Sequence, residues 1–115
     1  MESILTSIKV MLDLPEGYTP FDPVVIMHIN SVLYDLHQLG VGPEEGFSIE
    51  DESATWIDFI PDTRKLQSVK TYIYLRVKLL FDNATLGASV IASYERQIKE
   101  FEWRLNVAVD PKQSD

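Results

Sequence analysis

The chain has 115 residues, 45 % of them apolar, and a formal net charge of −8, which fits one globular domain and is too apolar for a disordered chain. It has no cysteine, which excludes disulfides, thiolate zinc sites, iron–sulfur clusters and cysteine nucleophiles. No apolar run approaches the roughly 18 residues of a membrane span, and Met1-Glu2-Ser3 carries no basic n-region, so a soluble protein of a reducing interior, without membrane contact, is expected.

Taken in order, the chain reads as helices. Ser3 is placed to cap a helix over 3–12, whose apolar positions are Ile4, Leu5, Ile8, Met11 and Leu12. Leu14-Pro15 and Gly17 end it. Asp22-Pro23 starts the second helix, 22–39, with Asp as N-cap and Pro at the first helical position. Its stripe is Val25, Ile29, Val32, Leu36 and Leu39, and Gly40 is a natural left-handed C-cap. Gly42-Pro43 opens a long acidic loop in which Phe47-Ser48-Ile49 reads as a short extended piece. Trp56, Ile57, Phe59 and Ile60 read as one apolar helical turn before Pro61.

Asp62 is placed to cap a third main helix, 63–81. Leu66, Val69, Ile73, Val77 and Leu80 form one stripe on it, and Tyr72, Leu75 and Leu79 a second. A helix apolar on two sides is either central in the fold or in contact with a partner. After Asp82-Asn83-Ala84-Thr85, a fourth helix over 86–107 carries Val90, Tyr94, Ile98, Phe101 and Leu105. The expectation is an all-α domain over 1–110, about four helices in a compact bundle with one long acidic loop, followed by a polar tail at 111–115.

The charges are unevenly placed. Residues 41–62 hold seven carboxylates and no Lys or Arg; residues 63–81 hold Arg64, Lys65, Lys70, Arg76 and Lys78 and no carboxylate. At about 100° per residue the five cations spread nearly all round their helix, whereas a groove-reading helix concentrates them on one face. They read as solvated rim, as neighbour-pairing groups or as snorkelling stems. Gly42, Pro43 and Gly46 punctuate the acidic loop and Glu50, Asp51 and Glu52 repel one another, so residues 43–52 are expected to be mobile in the free protein.

Catalytic chemistry finds little support. His28 and His37 lie nine apart, about 180° round an ideal helix, and cannot share a metal. Glu50-Asp51-Glu52 lacks the alternating oxygen ligands, central Gly and terminal Glu of a helix–loop–helix calcium site. There is no phosphate-cradling glycine loop and no evident Ser-His-Asp arrangement. Trp103 stands apart: it lies about 160° round its helix from Phe101, near Arg96 and Lys99. Two readings of it stay open. It is a contact surface for another protein, or the first helix or the acidic loop folds over it.

Three segments carry a likeness: Ile26 to Val32 continuing through Leu39-Gly40-Val41-Gly42-Pro43-Glu44-Glu45-Gly46-Phe47; Val69 to Asp82; and Glu100-Phe101-Glu102-Trp103-Arg104-Leu105-Asn106. From about Ser3 to Asp110 the chain resembles the small head–tail connector, or DNA-packaging, proteins of long-tailed phages and prophages of Gram-positive bacteria. Where that pattern often has Asp-Pro-Pro after the third helix, this chain has Asp82-Asn83-Ala84. The resemblance implies a helical adaptor without enzyme activity or cofactor. Its copies would form a ring under the portal protein, extend the DNA channel, and meet the next neck or tail-completion protein. Packaged DNA would pass without sequence-specific binding, and the protein would sit in the virion neck, or in the host cytoplasm during assembly.

On that reading the candidate interface residues are Trp103, Arg96, Lys99, Arg64, Lys65, Glu44, Glu45, Glu50, Asp51 and Glu52. Ring formation needs two complementary surfaces per copy, which the acidic and basic segments offer unless they pair within one subunit. The free protein is expected to be a monomer or small oligomer that needs the portal as a template. Two alternatives stand beside this reading: a small acidic cytoplasmic protein that inhibits or masks a basic or nucleic-acid-binding partner, and a small enzyme using carboxylates.

Overall fold

The computed structural model describes residues 2–15 and 17–109. Five helices follow in order: α1 (Ile4–Met11), α2 (Asp22–Gln38), α3 (Trp56–Phe59), α4 (Thr63–Asp82) and α5 (Ala88–Val109). The expected polar tail lies outside the described residues. The capping chemistry accounts for most of the starts. The Ser3 side chain accepts the Thr6 N–H, and Asp62 accepts the Arg64 N–H. At α3, Thr55 and Asp58 form a reciprocal capping box, which stabilises a helix of only four residues. Gly40 adopts φ +83° just past α2, as its left-handed role requires.

The start of α2 differs from the expectation. Phe21 is the N-cap and makes no side-chain cap bond; Asp22 is already helical. Its carboxylate instead meets the Lys9 ammonium at 2.8 Å and ties α2 to α1. An ion pair between two helices has thus displaced a local cap.

One hydrophobic core runs through all five helices. α4 lies at its centre, packed against α2 on one side and α5 on the other. Its two apolar stripes are therefore absorbed within the subunit: Val69, Ile73 and Val77 are buried on one, Tyr72 and Leu75 on the other, and Leu80 alone stays half exposed. Each such side chain contributes about 1.5–3 kcal/mol of burial. On α5 Ile98 and Leu105 are buried and Ile91, Tyr94 and Phe101 partly buried along one stripe, while Val90 points outward at 39 % exposure. The stripe enters one residue later than the sequence suggested and keeps its three-and-four spacing.

Between α2 and α4 the chain is a stitched segment rather than a free loop. Asn30 on α2 holds Ile49 from both sides, its Nδ2 donating to the Ile49 carbonyl at 2.9 Å and its Oδ1 accepting the Ile49 N–H at 2.7 Å. Phe47 packs on Phe59, ring centroids 5.3 Å apart. The His37 Nε2–H donates to the Glu44 carbonyl at 2.9 Å. Further on, Ile4 N–H donates to Ala54 O, and Trp56 N–H to Glu2 O. The Trp56 indole, fully buried, donates to Ser7 Oγ at 3.0 Å, and the Lys70 ammonium sits 5.3 Å above its ring. Within residues 43–52, for which mobility was expected, Glu44, Phe47 and Ile49 each have such an anchor, while Glu45, Glu50, Asp51 and Glu52 are exposed.

Candidate interaction surfaces

The charged groups sort into those that hold the fold and those that do not. Arg76 is structural. Its guanidinium donates to Asp35 of α2 and to the Tyr72 hydroxyl, each at 2.7 Å, and lies 4.0 Å from Glu102 of α5. The Tyr72 hydroxyl in turn donates to Glu102 at 2.8 Å. This network clips three helices together. Burial, reinforced by that bond to Glu102, pushes the Tyr72 phenol up to about 12. Lys70 pairs with Glu2 at 2.6 Å and Lys78 with Asp82 at 2.7 Å. So three of the five cations of α4 are used within the subunit, and their partners lie outside the acidic segment.

Of the seven carboxylates in 41–62, only Asp62 makes an ion pair among the described residues, a loose 3.8 Å contact with Arg64. Glu44, Glu45, Glu50, Asp51 and Glu52 are all exposed. The Ser53 hydroxyl and N–H bind Asp51 and hold its carboxyl below the ordinary value, so it stays ionised. The acidic and basic segments therefore neither neutralise each other within the subunit nor form one patch. Glu52 edges a depression under α1, beside Leu5, Lys9 and Val10, whereas Glu44 and Glu45 follow Pro43 at the end of α2.

The remaining candidates gather along α5. Trp103 is 68 % exposed and neither α1 nor the acidic segment covers it. It lines a shallow groove with Glu95, Arg96, Lys99, Glu100 and Arg104. Arg104 also borders a deeper cleft whose rim carries Arg64 and Lys65. Arg104 is thus shared by the two depressions, which hold Arg96 and Lys99 beside Glu95 and Glu100 on one side, and Arg64 and Lys65 beside Asp58 and Asp62 on the other.

A second exposed set escaped the sequence reading. On the outer side of α2, Val24, Met27 and Tyr34 are 41 %, 59 % and 64 % exposed. They fall within about 80° of one another on an ideal helix and have no charged residue between them on that face. The signal was their own three-and-seven spacing, masked by the stronger buried stripe of the same helix. At the start of α2, Phe21 packs between Tyr18 and Phe81 and is itself 41 % exposed.

Catalytic and metal chemistry gains nothing from the geometry. Among the described residues there is no cluster of three or more His, Asp or Glu side chains able to hold a metal ion, and no helix long and apolar enough to cross a membrane. Burial pushes the His28 imidazole below its ordinary value, and His37 is occupied by the Glu44 carbonyl. What the molecule offers is surface: an exposed tryptophan among charged groups, exposed carboxylates between α2 and α4, and a helix face with three exposed apolar side chains. The family described as phage connector protein matches residues 4–112. No curated protein and no solved structure matches the chain.

Proposed function

The chain belongs to the phage connector protein family, and from that premise we propose that it is the adaptor that forms a ring under the portal, extends the DNA channel, and joins the filled head to the next neck or tail-completion protein. The family match over nearly the whole chain is the observation that carries this reading. The surface agrees with it, because the groups left without a structural task are those a protein–protein contact would use. Trp103, flanked by Arg96 and Lys99, has the composition of a binding hot spot. Glu44, Glu45, Glu50, Asp51 and Glu52 supply the opposite sign for a neighbouring copy or the portal. Free carboxylates facing the channel would also keep DNA from adhering, within a Debye length of roughly 8 Å. No cofactor enters this role, and assembly would take place in the host cytoplasm.

A net charge of −8 per copy opposes spontaneous ring closure, while a portal ring presents many sites at once. The free protein is then a monomer or small oligomer, and the portal is the template. A role as an acidic mask for a basic partner fits less well, since Arg64, Lys65, Arg96, Lys99 and Arg104 are all exposed. Sedimentation of the purified protein with isolated portal rings tests the proposal. The expected result is a portal-bound ring and no closed ring without portal. Absence of any portal complex would overturn the function, and a stable ring of the isolated protein at micromolar concentration would overturn the template requirement.

A further inference from the structure

Residues 40–43, the turn at 58–62, the first two turns of α4 and residues 101–105 of α5 line an open cleft of about 650 Å³. That size is typical of a site that takes a ligand. Its floor is apolar, formed by Val41, Phe59, Ile60, Val69 and Leu105. Its rim carries Arg64, Lys65 and Arg104. Arg64 has a side chain 93 % exposed and only the 3.8 Å contact with Asp62; Lys65 makes no ion pair among the described residues. Arg104 lies 5.4 Å over the Phe101 ring, with Glu100 at 3.5 Å. The two carboxylates on the cleft, Asp58 and Asp62, are engaged by backbone N–H groups: Asp58 accepts from Thr55 and Asp62 from Arg64. The rim thus carries three cations and two hydrogen-bonded carboxylates over an apolar floor.

We propose that this cleft docks an acidic peptide segment of another protein, one that places a large apolar side chain on the floor and Asp or Glu carboxylates against Arg64, Lys65 and Arg104. Guanidinium forks suit carboxylates. The floor demands an apolar anchor, which neither a free anion nor a phosphate backbone supplies. Charge complementarity sets the sign of the partner. A second copy of this chain is a poor occupant, although its acidic segment has the right charge. Most of that segment's apolar residues are already used: Ile49 is buried and clamped by Asn30, and Phe47 lies on Phe59. A neighbour would offer its carboxylates, worth about 0–1 kcal/mol each as exposed ion pairs, and Ile57 as its one exposed large apolar side chain, fixed on the short helix α3 rather than on an extended segment.

The proposal concerns the chemistry of a partner segment and does not depend on ring formation. Selection of a random peptide library on the immobilised full-length protein tests it, followed by fluorescence anisotropy of the enriched sequences as synthetic peptides. The enriched peptides are expected to combine an aromatic or branched aliphatic residue with flanking Asp or Glu. Their affinity should fall at least about tenfold in the double variant Arg64→Glu/Lys65→Glu. It should fall similarly in Ser68→Trp, which fills the cleft without changing its charge. Gln97→Glu, a charge change at an exposed position of α5 outside the cleft, should leave it unchanged. Unaltered helical circular dichroism shows that each variant is folded. Absence of enrichment, enrichment of basic or charge-free peptides, or acidic peptides indifferent to the cleft variants would each overturn the proposal. Loss of portal binding alongside intact peptide binding would sink the connector reading and leave this one standing.

Discussion

Asn30 is the residue whose replacement best tests how the acidic segment is held. Its amide satisfies both backbone groups of Ile49, nineteen residues along the chain, in a partly buried setting. In Asn30→Ala each lost hydrogen bond removes about 1 kcal/mol, and each backbone group left unpaired costs about 1–3 kcal/mol if it stays buried. The segment can avoid that cost by lifting away, at the expense of Ile49 burial, about 1.5–3 kcal/mol. The cheaper route sets the outcome, so a loss of about 2–3 kcal/mol is expected by urea unfolding. The Ile49 amide should also exchange its hydrogen faster than in the parent protein.

Asn30→Asp sharpens the test. An ionised carboxylate still accepts the Ile49 N–H but faces the Ile49 carbonyl with a lone pair, whereas the protonated acid donates to it. Its folded pKa should therefore lie above the unfolded value of about 3.9. By linkage the variant is least impaired below about pH 4 and loses stability, relative to the parent, as pH rises through the folded pKa. An Asn30→Ala cost under about 0.5 kcal/mol with unchanged Ile49 exchange would refute the clamp, as would an Asn30→Asp deficit that is flat across this pH range. If the segment acts in assembly, Asn30→Ala should also weaken portal binding without removing a single charge.

Other expectations are as direct. A Cβ on Gly42, at φ +94°, would lie 2.5 Å from Phe59 Cε1, so Gly42→Ala should destabilise by about 1–3 kcal/mol in thermal or urea unfolding; a neutral result would mean that the Phe59 ring yields freely. Trp103→Ala should shift stability by no more than about 0.5 kcal/mol while impairing the joining of filled heads to tails, and a loss of about 3 kcal/mol would make the residue core. With the Tyr72 phenol at about 12 in the fold and about 10 unfolded, its contribution is complete below pH 10 and is lost as pH rises toward 12. Burial also raises the Tyr74 phenol, so ultraviolet titration should show late tyrosine ionisation with its last step near pH 12, and in Tyr72→Phe that last step should vanish.

What sequence could supply was local. The spacing of apolar residues located the four main helices to within two residues at each end, and Ser3, Asp62 and Gly40 marked boundaries where the structure puts them. α4 declared its central place through two apolar stripes, and Trp103 its exposure through its angle from Phe101. Contacts between distant segments left no such trace. Nothing in the spacing of Asn30 and Ile49, Trp56 and Ser7, or Lys70 and Glu2 marks them as partners. Asp22 had the ordinary signature of an N-cap until Lys9 claimed it from another helix. The cleft was illegible for the same reason: its walls come from three stretches of chain that periodicity treats separately.

The two tryptophans occupy opposite extremes, and that contrast makes the protein its own optical instrument. Trp56 is sealed in the core with a hydroxyl on its indole N–H and an ammonium over its ring, whereas Trp103 stands in water on α5. Their emission should therefore separate into a blue component deaf to iodide or acrylamide and a red component readily quenched by them. Unfolding shifts the first; a partner settling on α5 shields the second. With Trp103→Phe and Trp56→Phe as single-emitter references, one cuvette can time the arrival of a partner and confirm, at the other wavelength, that the fold beneath it has not moved.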